Sequence, residues 1–286
     1  MTAHFPWYDA LWLQSYVKAR EFIAQQYPAR LAGFVDSMQV LRTRPDFAVQ
    51  HLSSVFDDPT LARIRTTIAS LQPDDLDLNE IKSFGRWIVY NHPVFAELQA
   101  TLTDRVSLLA GEEVEPLYNF LSMYTKLGHC PLHMDAPQAK WTLDICINQS
   151  EPWDIHFSQI LPWPEQGVPE KDWQKSILSD PSNHFSTFAL QPGEAILFSG
   201  SSQWHYRKPL PNRGGSAFCD LLFFHYIPKG TAAIANEHQW PEYFGIPELA
   251  TLVRNPAHFS RWQLPDAPTT IASAAGTAEP ATPAAQ

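Results

Sequence analysis

The apolar pattern of this sequence changes near residue 117. Before that point, apolar side chains recur three and four residues apart in the segments 7–23, 31–41 and 93–109, which is the spacing of amphipathic helices. After it, short runs rich in aromatic and β-branched residues are separated by turn residues: 118–124, 141–147, 153–160, 185–190, 194–198 and 216–227. Helices followed by strands predict an α+β fold, and short strands at this spacing predict an antiparallel sandwich or barrel.

Charge and composition argue against several classes of protein. The 20 basic and 30 acidic residues give a formal charge of −10 at pH 7, and no window is rich in Lys or Arg, so we expect no nucleic-acid partner. A hydrophobic fraction of 44% with 17% charged residues is typical of a globular chain with a sizeable core. Three scattered cysteines, Cys130, Cys146 and Cys219, do not suit a disulfide framework or a Cys-based zinc site.

The ends of the sequence lead to two expectations about location and order. No apolar run reaches about 18 residues, and the first residues lack the charged-then-apolar order of a signal peptide, so we expect a soluble, cytoplasmic protein with no membrane partner. From residue 266 the chain consists mainly of Ala, Thr, Pro and Ser with almost no apolar bulk. We therefore predict that 266–286 is a disordered tail.

The sequence His133-Met134-Asp135 is the first of two segments that carry candidate chemistry. Residues i and i+2 of a β-strand point to the same side, so His133 and Asp135 can reach a single metal ion. Two ligands do not hold a catalytic metal, and a lone His-x-Asp arises by chance in a chain with 11 histidines. A third ligand from another strand is therefore required.

The second segment supplies that ligand. Pro192-Gly193 predicts a turn, a predicted strand follows it, and His205 comes shortly after the strand. Two histidines and one carboxylate on one face of an octahedral metal form the facial triad of non-haem Fe(II) oxygenases, which leaves three positions open. The spacing therefore favours a metal site built from His133, Asp135 and His205.

These segments give the sequence a family resemblance over about residues 93–228. The chain resembles the Fe(II)/2-oxoglutarate-dependent dioxygenases, especially the prolyl-hydroxylase-like branch, in three patterns: Tyr124-x-x-x-Gly128-x-x-x-x-His133-x-Asp135, Gly193-x-Ala195-x-x-Phe198 and His205-x-x-x-Pro209. The resemblance implies a double-stranded β-helix (jelly-roll) core with an N-terminal helical layer. It also implies Fe(II) on the triad, 2-oxoglutarate as co-substrate and O₂ as oxidant, with Tyr124 lining the co-substrate pocket.

The sequence departs from this family at one position. The family usually has an Arg or Lys about ten residues after the distal histidine, and that side chain pairs with the far carboxylate of 2-oxoglutarate. Here position 215 is Gly. The candidates for the missing role are Arg213, just before the next predicted strand, Arg207, on the same side of a strand as His205, and Lys140.

The resemblance also implies a reaction and a domain plan. Because Asp135 is present, where related halogenases have a small residue, hydroxylation or desaturation of an unactivated C–H is favoured. The substrate is expected to be a small molecule, an amino-acid derivative or a peptide. Two alternatives stay open: a cupin-like metalloenzyme that does not use 2-oxoglutarate, and a non-catalytic jelly-roll binding module. We expect one catalytic domain over 1–265, divided into helical support (1–116), jelly-roll core (117–228) and C-terminal extension (229–265).

Overall fold

The computed structural model describes residues 3–253. Their α-helices are α1 (Leu11–Gln26), α2 (Leu31–Ser37), α3 (Asp58–Ser70), α4 (Ile81–Phe84), α5 (Pro93–Thr101), α6 (Thr103–Ala110), α7 (Trp173–Ser179), α8 (Ala232–Ala235) and α9 (Trp240–Tyr243). Their strands are β1 (Gln50–Leu52), β2 (Arg86–Tyr90), β3 (Val114–Tyr124), β4 (Cys130–His133), β5 (Trp141–Gln149), β6 (Ile155–Ser158), β7 (Phe185–Phe188), β8 (Ala195–Phe198), β9 (His205–Arg207) and β10 (Cys219–Pro228). The predicted α+β class is confirmed.

The strands form two antiparallel sheets that share one core. The large sheet has the order β1-β8-β5-β10-β3-β2, and the small sheet has the order β4-β9-β6-β7. Side chains alternate between the faces of a strand, so every second residue points into the space between the sheets. In this space, buried residues of the large sheet, such as Phe120 and Leu221, form one apolar cluster with Ile155 and Phe157 of the small sheet.

Two strands of the large sheet come from the segment that the sequence predicts to be mainly helical. β1 pairs with β8 at one edge, and β2 pairs with β3 at the other. These strands are only three and five residues long, which is too short for a clear alternating pattern. A single left-handed residue, Gly85 with φ of 68°, ends α4 and lets β2 begin directly after it.

The N-terminal helices divide between two packing partners. α3, α5 and α6 cover the outer face of the large sheet, where Ile64 and Phe95 pack in one cluster with Leu121 and Phe224. These three helices therefore pack on the larger sheet. In contrast, α1 packs against the C-terminal segment: the ring of Trp12 meets that of Trp240 edge-on at a centroid distance of 5.4 Å.

The predicted helix over 93–109 is present but divided. Pro93 occupies its first turn and Gly111 ends it in the left-handed conformation, as the sequence indicates. The helical hydrogen bonding is interrupted at Leu102, which separates α5 from α6. No helix within 3–253 is long and apolar enough to cross a membrane. The predicted tail 266–286 and the last part of the predicted extension lie outside the described residues.

Candidate metal centre and its pocket

Strand pairing brings the two candidate histidines together. His133 is the last residue of β4, His205 is the first residue of β9, and the two are direct partners in the antiparallel register. Side chains that face each other across paired strands lie on the same side of the sheet. The two imidazole centroids are accordingly 4.1 Å apart.

Three ligand atoms converge on one point. The Nε2 atom of His133 lies 3.3 Å from Oδ1 of Asp135, and the Nε2 atom of His205 lies 3.6 Å from the same oxygen. One ligand atom of each residue lies within 4.8 Å of those of the other two. The three residues that the sequence proposes as metal ligands therefore meet in the fold at the spacing that a single ion requires.

Backbone carbonyls fix the orientation of both imidazoles. Nδ1 of His133 lies 2.8 Å from the carbonyl oxygen of Pro131, and Nδ1 of His205 lies 3.0 Å from that of Gln203. A carbonyl oxygen only accepts hydrogen bonds, so each Nδ1 carries the proton. Each Nε2 then points toward Asp135, which is the arrangement of metal-bound histidines.

Gly200 creates the space in which Asp135 sits. The backbone N–H of Asp135 donates to the carbonyl oxygen of Gly200 at 2.9 Å, which holds the two segments in contact. A Cβ atom on Gly200 would lie 2.2 Å from Oδ2 of Asp135 and 2.6 Å from the carbonyl oxygen of Ala139. No side chain fits at position 200 unless both the carboxylate and the backbone at Ala139 move.

The triad residues set one another's ionisation. Burial by itself would raise the pKa of Asp135, but His205 and His133 outweigh it and hold that pKa well below its usual range. Burial, and then the neighbouring His133, lower the pKa of His205. Burial also opposes a charge on His133, but Cys130 and Asp135 outweigh it and raise the pKa of that imidazole. A proton on His133 balances the charge of Asp135, and a bound divalent cation would displace that proton.

The triad lies in the wall of a pocket between the two sheets. Tyr124 of β3, a predicted pocket residue, lines it together with the triad. The segment before α1 contributes Tyr8 and Asp9 to the same pocket. Burial, and then the charge of Asp135, raise the pKa of Asp9 to about 7. This pocket therefore combines the ligand atoms with aromatic and acidic walls.

Of the three predicted partners for a co-substrate carboxylate, Arg207 lines this pocket. It follows His205 by two positions on β9 and is buried. Its guanidinium donates to Oδ2 of Asp144 at 2.8 Å and to the carbonyl oxygen of Trp153. Burial raises the pKa of Asp144 in spite of this partner. These contacts use two of the five N–H groups of Arg207.

The fold does not bring Arg213 or Lys140 to the pocket. Arg213 lies in the loop before β10 with its side chain 89% exposed, beside Glu151. Lys140 is buried elsewhere, where its Nζ contacts Oε1 of Glu112 at 2.6 Å and donates to the carbonyl oxygen of Val40. Strand β10 begins at Cys219, three residues later than the sequence predicts, so Arg213 lies in an exposed loop and not at the start of the strand.

A second buried arginine escaped the sequence reasoning. Arg86 of β2 lines the pocket and donates through Nε to Oε2 of Glu80 at 2.7 Å and through NH1 to the hydroxyl of Tyr124 at 2.8 Å. The aromatic and β-branched residues of 86–90, directly after Gly85, are the local signal for this strand. That signal gives no hint that β2 joins a sheet formed by residues 30 positions later.

The donor set fits a non-haem iron centre. Two neutral imidazoles and one carboxylate suit Fe(II), and three ligands of this kind leave coordination positions for other groups. Two structural observations support this fit: the Nε2 atoms of His133 and His205 both face Asp135, and Gly200 leaves space for the carboxylate.

No protein-family model matches the sequence, and no curated protein matches it. Among solved structures, the chain is similar to the non-haem α-ketoglutarate-dependent carbocyclase SnoK from nogalamycin biosynthesis. The identity is 11%, the alignment covers 69% of this chain and 89% of SnoK, and the TM-score is 0.50.

Two further solved structures are similar at comparable identity. The epimerase SnoN is 13% identical, with 70% of this chain and 84% of SnoN aligned at a TM-score of 0.49. HygX from Streptomyces hygroscopicus is 12% identical, with 69% of this chain and 87% of HygX aligned at a TM-score of 0.47. At 11% identity, the similarity to SnoK concerns the fold and not the reaction. The chain therefore has the jelly-roll fold of the non-haem, 2-oxoglutarate-dependent enzymes, as the sequence resemblance predicts.

Proposed function

We propose that this protein is an Fe(II)- and 2-oxoglutarate-dependent oxygenase that hydroxylates or desaturates an unactivated C–H bond. The observation that carries the proposal is the convergence of two imidazole Nε2 atoms and one carboxylate on a single point. When bound there, Fe(II) would supply the activation of O₂ at the expense of 2-oxoglutarate. His133, Asp135 and His205 would hold the ion.

The remaining pocket residues have the chemistry to bind the co-substrate. Arg207 is buried two residues from His205 and keeps three N–H groups free of Asp144 and Trp153, so we assign it the far carboxylate of 2-oxoglutarate. The hydroxyl of Tyr124, which accepts from Arg86, provides a neighbouring donor. Arg86 is the alternative partner, because its guanidinium lines the same pocket.

The other residues near the triad exclude water and orient the ligands. The rings of Phe198 and Phe157 lie 5.1 and 6.0 Å from the imidazole of His205, so apolar surface surrounds it. A dry site protects a reactive centre from side reactions. Small molecules, amino-acid derivatives and peptides all remain within the proposal, as do a cytoplasmic location and the absence of a nucleic-acid partner.

An anaerobic titration of the full chain tests this proposal. Fe(II) is added to metal-free protein, 2-oxoglutarate follows, and absorbance is recorded for the visible metal-to-ligand charge-transfer band. We expect the band in the wild type and its loss in Asp135→Ala, because the carboxylate is one of three ligands. His184→Ala is the matched control, since His184 is exposed and outside the pocket.

The outcomes separate the proposal from its alternatives. Tight Fe(II) binding with no band would favour a cupin-like metalloenzyme that does not use 2-oxoglutarate. The observation that favours this alternative is the exposed position of Arg213, because the candidate nearest the family's usual carboxylate-binding position does not reach the pocket. No Fe(II) binding would reject the metal centre and favour a non-catalytic binding module.

A further inference from the structure

His225 is a buried pocket residue that has no part in the metal centre. It lies on β10, is 3% exposed, and lines the same pocket as the triad. Its Nδ1 atom lies 3.0 Å from Oγ1 of Thr142. The hydroxyl of Thr142 donates its one proton to the carbonyl oxygen of Ala139 at 3.2 Å, so the same oxygen accepts from Nδ1–H of His225. The Nε2 atom of His225 is therefore an unprotonated acceptor.

That acceptor has no partner within residues 3–253. Nε2 of His225 is buried and makes no hydrogen bond there, and no other pocket-lining residue has a buried side-chain atom in this state. Burial lowers the pKa of His225 to about 3, so the ring does not relieve the deficit by taking a proton at neutral pH. A buried polar atom without a partner is destabilising, and its presence in a pocket points to a ligand that completes it.

An aromatic wall fixes the imidazole and borders the acceptor. His225 is opposite Tyr118 in the β10–β3 register, and their rings stack at a centroid distance of 4.1 Å and an angle of 26°. One pair further along, Phe223 stacks on Phe120 at 4.8 Å and 28°. Tyr90 of β2 meets Phe120 edge-on at 5.8 Å. All five side chains line the pocket, so an aromatic wall lies beside a single lone pair.

The polar side chains of the pocket differ in the ligand groups that they accept. Arg207 and Arg86 supply N–H donors, which suit a carboxylate. His225 supplies only an acceptor, and a carboxylate has no donor to offer it. A ligand group at His225 must carry a hydroxyl or an N–H.

We infer that the substrate of this protein contains an aromatic or conjugated ring that bears a hydroxyl or N–H, and that His225 selects it. The ring packs on the wall of Tyr90, Tyr118, Phe120 and Phe223 while its donor binds Nε2 of His225. The inference rests on the proposed function, because it takes this pocket as the active site, and it deepens that function by defining the substrate class.

Indole and indene are probes that test this selection. The two molecules have nearly the same shape, but only indole has an N–H. Binding to the full chain, loaded anaerobically with Fe(II) and 2-oxoglutarate and also without them, is measured by ligand-observed nuclear magnetic resonance. We expect the Kd for indene to exceed that for indole about tenfold, as one hydrogen bond to a buried acceptor provides.

Three variants assign the preference to His225. In His225→Phe the Kd ratio should fall to about one, because the ring remains and the acceptor is lost. In His184→Phe, a matched change at an exposed histidine, the ratio should stay unchanged. In Thr142→Val the ratio should also fall, since the hydroxyl that accepts from Nδ1–H of His225 is lost. If His225→Phe does not fold, Thr142→Val provides the decisive test.

Two results would overturn the inference: equal affinities for indole and indene in the wild type, or a preference that survives in folded His225→Phe. The charge-transfer band of the Fe(II) and 2-oxoglutarate titration is a separate readout. A band without a preference for indole rejects this inference and leaves the oxygenase proposal standing. A preference for indole without a band rejects the oxygenase and keeps the ligand class of the pocket.

Discussion

Two regions of this protein bury carboxylates, and they treat the charge in different ways. In the pocket between the sheets, Asp135 faces two histidines, Asp144 faces Arg207, and Glu80 faces Arg86. In the layer formed by α1 and the C-terminal segment, Glu237 is 1% exposed and accepts from the amide of Gln138 at 3.3 Å. These three acids each face a cationic or histidine partner in the region where we propose chemistry. Glu237 faces a neutral amide in a region of structural packing, so its burial is tolerated at a cost in stability.

The largest expected effect is loss of a triad ligand. His205→Ala should lower Fe(II) affinity more than 100-fold, because the imidazole contributes one of three ligands. Loss of its contacts with Phe157 and Phe198 should lower the stability of the protein without unfolding it. Anaerobic calorimetry measures the affinity, and circular dichroism measures the fold. Unchanged Fe(II) affinity in the folded variant would mean that His205 is not a metal ligand, and the pocket would then differ from the structural layer only in its ion pairs.

The second effect concerns the pairing of Arg207 with Asp144. Arg207→Gln leaves a carboxylate buried without its cation, so we expect the free energy of unfolding to fall by about 3–5 kcal/mol. Chemical denaturation measures this change. The double variant Arg207→Met, Asp144→Leu should recover most of the stability, because neither charge remains.

The same double variant separates stability from co-substrate binding. It should still require a much higher 2-oxoglutarate concentration for the charge-transfer band, since the proposed carboxylate partner is gone. A normal 2-oxoglutarate requirement in the stable double variant would transfer that role to Arg86. Arg86→Gln is the variant to measure next in that case.

The third effect is steric. Gly200→Ala places a methyl group within 2.2 Å of Oδ2 of Asp135, so the carboxylate must leave its position beside the histidines. We expect Fe(II) affinity to fall about tenfold to 100-fold in anaerobic calorimetry. Gly214→Ala is the control, because a Cβ atom at position 214 meets nothing within 4 Å. Equal affinities in both variants would mean that Asp135 does not depend on this cradle.

The smallest effect is expected for the isolated acid of the structural layer. Burial raises the pKa of Glu237 to about 7, above the value of about 4.5 of the unfolded chain. The unfolded state then loses its proton first as pH rises, so stability should fall between pH 5 and 7.5, by about 2 kcal/mol. Glu237→Gln should remove about 2 kcal/mol of this fall in stability from the pH profile in thermal unfolding, and Glu242→Gln, an exposed neighbour, should leave the fall intact. Asp9, whose pKa is also raised to about 7, keeps part of the slope in both variants. A profile that keeps its full slope in Glu237→Gln would show that this burial has no cost.

The convergence of the three candidate metal ligands could be predicted because their signal is local. The strand alternation that aligns His133 with Asp135 spans three residues, and His205 follows a strand whose start is marked by Pro192-Gly193. Strand β9 begins with the histidine itself, and its register opposite His133 agrees with the predicted approach of the two side chains. The helix over 93–109 was equally readable from Pro93 and Gly111, apart from its break at Leu102.

The cations of the pocket could not be assigned in the same way. Arg213, Arg207 and Lys140 all stand at plausible distances along the chain, and the sequence contains nothing that distinguishes an exposed guanidinium from a buried one. Arg86 was missed because its strand joins the sheet at an edge formed far along the chain. Each outcome depends on which elements pack together.

By itself, the sequence determined the broad order of helices followed by strands and the three residues that converge at the centre of the fold, because local periodicity and two-residue alternation specify these. The jelly-roll type of fold was implied by the family resemblance. The tertiary structure alone decided which arginine faces the pocket, that Gly200 must lack a side chain, and that His225 presents a bare lone pair beside an aromatic wall. These features depend on contacts between segments distant in the chain. Burial and hydrogen-bond partners arise only when those segments meet.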